Sequence, residues 1–573
     1  MKQIWYFSAA LCALFLVACN DSDSNSSKPP ITDEDNALTQ NPSTLKNVSE
    51  YHERMHVYKP TSNFDLGSSQ KMENYEAVVT SMCYTKHEQQ YNPCYVCHQD
   101  KKEDGRANYM HDGALQNEYA FSNIGMTNQW DNLFIDRTEK IAQISDEQIS
   151  EYINTQNYTD LKPMLLDNNF SGYIPDLANY HLGADAFNAD GFAKDGSGWV
   201  AFNYKPLPST FWPVNGSTDD VLIRLDKPFR QNSNGEMSVP AYKFNLAIVE
   251  AAIKNLAQIS VDNLDENSIG IDLNGDGTLG IVQQINRPYF YVGGASDVPV
   301  ETFLYPQYTE FLHTVRYIGS TEGGEIYNAP RMKELRYMIK NQSYHESSPL
   351  NKEELAFLYD LEWQEKSKGW LPQYGSLLEK GIDNKYGWWL QGFIEDAEGN
   401  LRPQTYEETF FCMGCHTTIG STIDQTFAFA RKPDGAKGWG YIDLRKMIDT
   451  PNIGENEGEI LTYFKRVGGG NEFRITNDVH AKFYENGTLN EEKVKAAKNV
   501  YELITPTHKS ALTMNKAYKV LVESQDFIHG RDGNAKPVEN VYKQIEANAP
   551  VLLPDKQYKW DIRLDWSQTQ GVQ

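Results

Sequence analysis

The sequence predicts a mainly α chain with long loops, in which two end blocks that each carry one Cys-x-x-Cys-His pentapeptide flank a mixed middle block. Three observations lead there. The pentapeptides, Cys94-Tyr95-Val96-Cys97-His98 and Cys412-Met413-Gly414-Cys415-His416, stand 318 residues apart in a chain of 573. Apolar residues recur at helical spacing in several segments, whereas period-two alternation is weak. Forty glycines and 25 prolines supply many turns between those segments.

The elements follow in chain order. Residues 1–19 read as a lipoprotein signal peptide: Met1-Lys2 precedes an apolar run, Ile4 to Ala18, that is too short to span a bilayer. The run closes on Leu16-Val17-Ala18-Cys19, which resembles a bacterial lipobox, with Cys19 as the acylated first residue of the mature chain. An ordinary cleaved signal peptide is the alternative. Residues 20–47, rich in Ser, Asp, Asn, Pro and Thr, form a flexible tether. Blocks of 48–204, 205–381 and 382–573 follow.

In the first block, Ser145-Asp146-Glu147-Gln148 is a capping box that opens a helix. In the middle block, Phe244 to Gln258 places Leu246, Val249, Ile253 and Leu256 on one helical face. Asn351-Lys352-Glu353-Glu354 begins another helix, with Leu355, Leu358 and Leu361 on one side. Glu491 to Leu503 and Met514 to Phe527 are helix-like, and Val221 to Leu225 and Pro288 to Val292 are the best strands. Asp219 and Asp220 are expected in a loop.

The pentapeptide spacing is that of c-type haem attachment. Two thiols two residues apart reach both vinyl groups of one haem, and the adjacent histidine falls under the iron. A redox Cys-x-x-Cys needs no such histidine, and a zinc site needs a second pair close by. Two covalently bound haems are therefore expected, on Cys94, Cys97, Cys412 and Cys415, with His98 and His416 as iron ligands. Seven cysteines are then spoken for, except Cys83: Cys12 leaves with the signal and Cys19 is lipidated. Cys83 is expected as a small buried apolar residue.

What lies opposite each iron decides between an electron carrier and a site of substrate chemistry. His313, in Phe311-Leu312-His313-Thr314-Val315-Arg316, is the preferred distal candidate, with a core histidine as the alternative. If that stretch is helical, His313 and Arg316 share a face and form an acid–base and charge-stabilising pair over an open haem. Met447, 31 residues after His416, is a thioether candidate, with core packing as its alternative.

Asp272-Leu273-Asn274-Gly275-Asp276-Gly277-Thr278 has the order of a calcium loop. Asp272, Asn274, Asp276 and the Thr278 carbonyl are the candidate ligands. Gln283 occupies the twelfth position in place of the bidentate Glu, so a full EF-hand is not expected, and a solvated turn is the alternative.

The formal net charge of −25 argues against nucleic-acid binding and against docking on anionic lipid through a basic face. It suits a redox partner with a basic patch. After Cys19 no segment is long and apolar enough to cross a bilayer, so a lipid anchor alone would hold the protein at the membrane. An exported protein facing the periplasm or the cell surface is expected, with the outer membrane favoured over the inner. The oligomeric state is open.

Four phrases carry a family resemblance: Asn92 to His98, Phe211-Trp212-Pro213-Val214-Asn215-Gly216-Ser217-Thr218-Asp219-Asp220, Phe411 to Gly420, and Val467 to Arg474. With these the chain resembles a family of large dihaem c-type cytochrome lipoproteins of Gram-negative bacteria. The resemblance covers most of the mature chain and implies haem attachment and lipoprotein export, without naming an activity. A looser similarity to bacterial dihaem peroxidases is limited by the length and the motif separation. Two functions are thus expected: membrane-tethered electron transfer or, alternatively, a dihaem oxidoreductase with one open haem, peroxidase-like or acting on a small inorganic or sulfur substrate.

Overall fold

Strands that are hard to see in the sequence build the centre of the molecule. The computed structural model describes residues 61–569 apart from 69–71, 87–96, 99–124, 209–211, 342–377, 418, 420–421, 468–474, 547 and 558–560. All of these described residues belong to one unit, Asn41–Gln573. Its principal strands are β1 (Val200–Ala201), β2 (Thr218–Arg224), β3 (Gln258–Asp265), β4 (Ile281–Asn286), β5 (Glu310–Ser320), β6 (Ile326–Lys340), β7 (Ile382–Asp383), β8 (Trp388–Glu395) and β9 (Leu401–Pro403). Seven of them form one antiparallel sheet in the order β1-β2-β5-β6-β8-β7, with β9 also on β8.

The mainly α expectation, with haem-binding blocks at either end, is therefore corrected. A large mixed sheet draws strands from the first, middle and last parts of the chain, and helices pack around it. Both faces of this sheet are covered. Val221, Ile223, Phe311, Met338, Trp388 and Leu390 enter the main apolar cluster, while Leu222, Leu312, Leu335 and Phe393 enter a second one on the other face. A strand buried on both faces has no polar side to reveal its period, and β8 is buried at every position. In β5 and β6 the alternation is blurred instead by charged residues that the fold buries, among them Arg316, Lys333, Glu334 and Lys340.

The helical expectations fare better. Helix α1 (Asp146–Asn154) starts on the expected capping box: Gln148 N donates to Ser145 Oγ at 3.2 Å, and Ser145 N donates to Gln148 Oε1 at 2.8 Å. Helix α2 (Val239–Ile253) starts earlier than expected, capped by Ser238. It stops before Asn255, whose φ of 54° leaves the helix, and Gln258 already opens β3. Helix α3 (Tyr406–Phe410) precedes the second pentapeptide, and α4 (His508–Ser524) covers most of the expected C-terminal helix.

Glu491 to Leu503 splits into two short helices, Glu491–Lys495 and Val500–Ile504. Pro288 to Val292 is not a strand; Phe290 makes only an isolated bridge to Pro299. The helix expected from Asn351 lies outside the described residues, as do Cys19 and Cys94.

Candidate functional site

The second pentapeptide sits on a turn clamped from three sides. Thr405 and Glu408 form a capping box at the start of α3, and Arg402 grips the Glu408 carboxylate through both terminal nitrogens at 2.8 Å. The helix runs into a tight 3-10 turn, Phe411–Gly414, and both Cys415 N and His416 N donate to Cys412 O at 3.1 Å. A Cβ added at Gly414 would meet the Val78 carbonyl oxygen at 2.1 Å, so only glycine permits this approach.

Val78 belongs to a segment just upstream of the first pentapeptide. There Glu73 N donates to Glu407 Oε1 at 2.8 Å, and Trp130 Nε1 donates to Val79 O at 2.7 Å. Trp130 also meets Phe411 edge-on, with ring centroids 5.7 Å apart. Cys97 packs against the same apolar cluster that contains Cys412 and Met413. Motifs remote in sequence thus share one core; Cys97 and His98 are both partly buried. Cys83 is partly buried too, and its charge would bear on Cys415.

His416 is held in a definite tautomer. Its Nδ1 lies 2.7 Å from the Gln425 carbonyl oxygen, which only accepts, so Nδ1 carries the proton and Nε2 keeps a lone pair. Gln425 stands in a turn with φ of 58°, beside Asp424, which takes Tyr305 N at 2.9 Å and pairs with buried Lys340. Desolvation by the surrounding protein pushes the His416 imidazole down to about 4, so it is neutral at ordinary pH. Desolvation likewise raises the Cys412 thiol and pushes Cys415 up to about 12. Two protonated thiols and a neutral imidazole with an available Nε2 are the donor set that a c-type haem requires, and a backbone carbonyl behind the ligand is a usual second-shell partner. The residues present fit that group.

His313 comes to this site, though not by the expected route. Its stretch is strand β5, where it pairs with Arg336 of β6 and Val221 of β2. The charges of Arg336 and His313 both bear on His416, and that of Arg336 also bears on Cys412 and Cys415. Glu334 balances the cations: Arg336 Nε lies at 2.9 Å and Arg531 Nη1 at 3.0 Å. Burial opposes ionisation of Glu334, but the two guanidinium groups prevail and hold its carboxyl at about 2.

Arg316, three residues along the same strand, takes the other side of the sheet. It meets Asp220 at 3.2 Å and donates to Tyr180 O at 2.7 Å. The helical pairing of His313 with Arg316 therefore does not arise. Asp219 and Asp220 are correspondingly not in a loop: they belong to β2, with their side chains on opposite faces. Asp220 takes hydroxyls from Thr314 at 2.7 Å and Tyr441 at 2.5 Å. The Asp219 carboxylate accepts from Tyr204 and lies 3.4 Å from His313 Nε2. Met447 is buried in the main apolar cluster, and its carbonyl accepts from Val500 N at 2.7 Å.

The Asp272–Thr278 loop tips the β3–β4 hairpin. Asp272 takes Gly275 N at 2.6 Å and Gly277 N at 2.8 Å, Asn274 takes Asp276 N at 2.9 Å, and Asp276 takes Thr278 N at 2.8 Å. Beneath it, buried Glu266 takes Leu273 N at 2.7 Å and Asn274 N at 3.0 Å. The side chains with calcium-loop spacing thus hold the loop's own backbone. Among the described residues no group of three His, Cys, Asp or Glu is arranged to hold a metal ion.

Arg336, Arg531 and the Gln425 carbonyl were not legible in the sequence. Only strand register and a turn between distant elements bring them to the motif.

A lipoprotein family, described as a "-like lipoprotein", matches residues 68–502 of the chain. The chain belongs to this lipoprotein family. An "uncharacterized lipoprotein" of Aquifex aeolicus (strain VF5) is 32% identical over 497 residues, covering 77% of this chain and 81% of the relative. No solved structure matches. Membership supports an exported, lipid-anchored protein, and among the described residues no helix is long and apolar enough to cross a membrane.

Proposed function

We propose that this lipoprotein is a dihaem c-type cytochrome that transfers electrons. The observation that carries the reading is His416: a neutral imidazole, its Nδ1–H fixed on the Gln425 carbonyl, beside the thiols of Cys412 and Cys415 on one tight turn. Cys412 and Cys415 would hold one haem and Cys94 and Cys97 the other, with His416 and His98 as iron ligands. A bound haem supplies one-electron redox chemistry.

The protein's own part is to exclude water, to fix the ligand tautomer and to place positive charge at the group. Arg336 and Arg531 are suited to the haem carboxylates, and Glu334 keeps both guanidinium groups in position. His313 is the candidate for the far side of the second iron, and Met447 the weaker thioether candidate. The acidic surface suits a partner with a basic patch, and the site would face the periplasm or the cell surface, from the outer membrane rather than the inner.

A second reading, an oxidoreductase with one open haem, is favoured by the contact of His313 with Asp219, which lines a cavity. Optical and paramagnetic resonance spectra separate the two. A carrier gives two low-spin haems that bind no cyanide, and His313→Ala converts one of them to high spin. A wild-type high-spin signal with rapid cyanide binding contradicts the carrier, and a spectrum without haem contradicts both.

A further inference from the structure

A cavity of about 470 Å³ opens beside Asp219, between the loop that holds Phe187 and the segment from Trp439 to Lys446. Phe187, Tyr327, Trp439 and Tyr441 contribute rings to its wall, and Asp219 and Asn328 contribute polar groups. Phe187 and Tyr441 stack with centroids 5.7 Å apart at 20°. The wall is fixed in place: Tyr441 donates its hydroxyl to buried Asp220 at 2.5 Å. Asn328 Nδ2 donates to the Asp219 carbonyl at 2.9 Å and to the Tyr441 hydroxyl at 2.8 Å.

Those bonds leave two acceptors for a ligand. Tyr204 and His313 both address Asp219 Oδ2, and among the described residues no hydrogen bond reaches Asp219 Oδ1 or Asn328 Oδ1. At the rim the cations are already matched, Arg445 with Glu325 at 3.0 Å and Lys446 with Asp443 at 3.7 Å. Fixed acceptors between aromatic rings select a neutral flat ring that donates hydroxyl hydrogens, and disfavour an anion, which would meet the Asp219 charge.

We propose that this cavity binds a small hydroxyl-bearing aromatic ring of the hydroquinone class, which donates an O–H to Asp219 and packs against Phe187, Trp439 and Tyr441. The choice of an aromatic diol over a sugar rests on the electron-transfer reading, because Asp219 leads through His313 to the His416 site. The proposal concerns binding alone; no bond is made or broken.

The test is calorimetric titration of benzene-1,4-diol, and separately of glucose, into the anaerobic reduced full-length protein in detergent. Haem content is measured by absorbance on the same sample. Saturable binding of the diol is expected, weakened at least tenfold by Asp219→Asn and by Ala189→Trp, which fills the mouth from an exposed position, with no binding of glucose. Absence of saturable binding to a protein that carries two haems overturns the cavity proposal. So does binding that neither variant weakens, or a preference for glucose. A protein without haem that still binds the diol in this pattern supports the cavity and overturns the electron-transfer reading instead.

Discussion

Glu459 illustrates what a single buried charge contributes here. Its carboxylate meets Arg431 Nη1 at 2.8 Å, Lys205 Nζ at 3.1 Å and Asn452 Nδ2 at 3.0 Å, with almost no exposure. Burial raises its pKa, but the two cations more than offset this and hold it at about 2, against 4.5 for the free side chain. The stabilisation is therefore complete above pH 4.5 and is lost as pH falls toward 2, amounting to about 3 kcal/mol. Glu459→Gln should flatten this acid limb in denaturant titrations. At neutral pH it should cost about 3–5 kcal/mol, because Arg431 and Lys205 are left buried without their counter-charge. At the same scale, His313 and His416 were legible as chemistry-bearing residues. The partner of His313 was not, because the helical spacing that suggested Arg316 does not hold in a strand, whose register brings Arg336 instead.

At the scale of elements, the turn Phe411–Gly414 joins the two ends of the chain. Gly414 presses its backbone against Val78, so Gly414→Ala must displace one of them. A loss of about 1–3 kcal/mol in thermal or urea unfolding is expected, together with weaker haem absorbance from the second motif. Unchanged stability and absorbance would mean that the turn is not pinned by this contact. The capping boxes at Ser145 and the pentapeptides themselves were readable because their information is local, within a few residues. Strands β5, β6 and β8 were not, because burial on both faces and buried ion pairs erase the alternation that marks a strand. Asp219 and Asp220 looked like loop residues for the same reason: their partners, Tyr204, Arg316 and Tyr441, come from other elements.

For the whole molecule, one sheet draws its strands from the length of the chain, and the segment before the first pentapeptide lies against the second. A separation of 318 residues in sequence is therefore no guide to separation in space. Lipoprotein membership places acylation at Cys19 among the properties to test: Cys19→Ala should move the protein from the membrane fraction to the soluble fraction without changing its fold. Continued membrane association would assign the anchor elsewhere. The central claim is that both pentapeptides carry haem, and the intact mass of the denatured protein, read with its haem absorbance, tests it most directly. The account predicts two covalently attached haems in the wild type and one in the Cys412→Ala, Cys415→Ala double variant. A denatured chain with the bare polypeptide mass and no haem absorbance would contradict it.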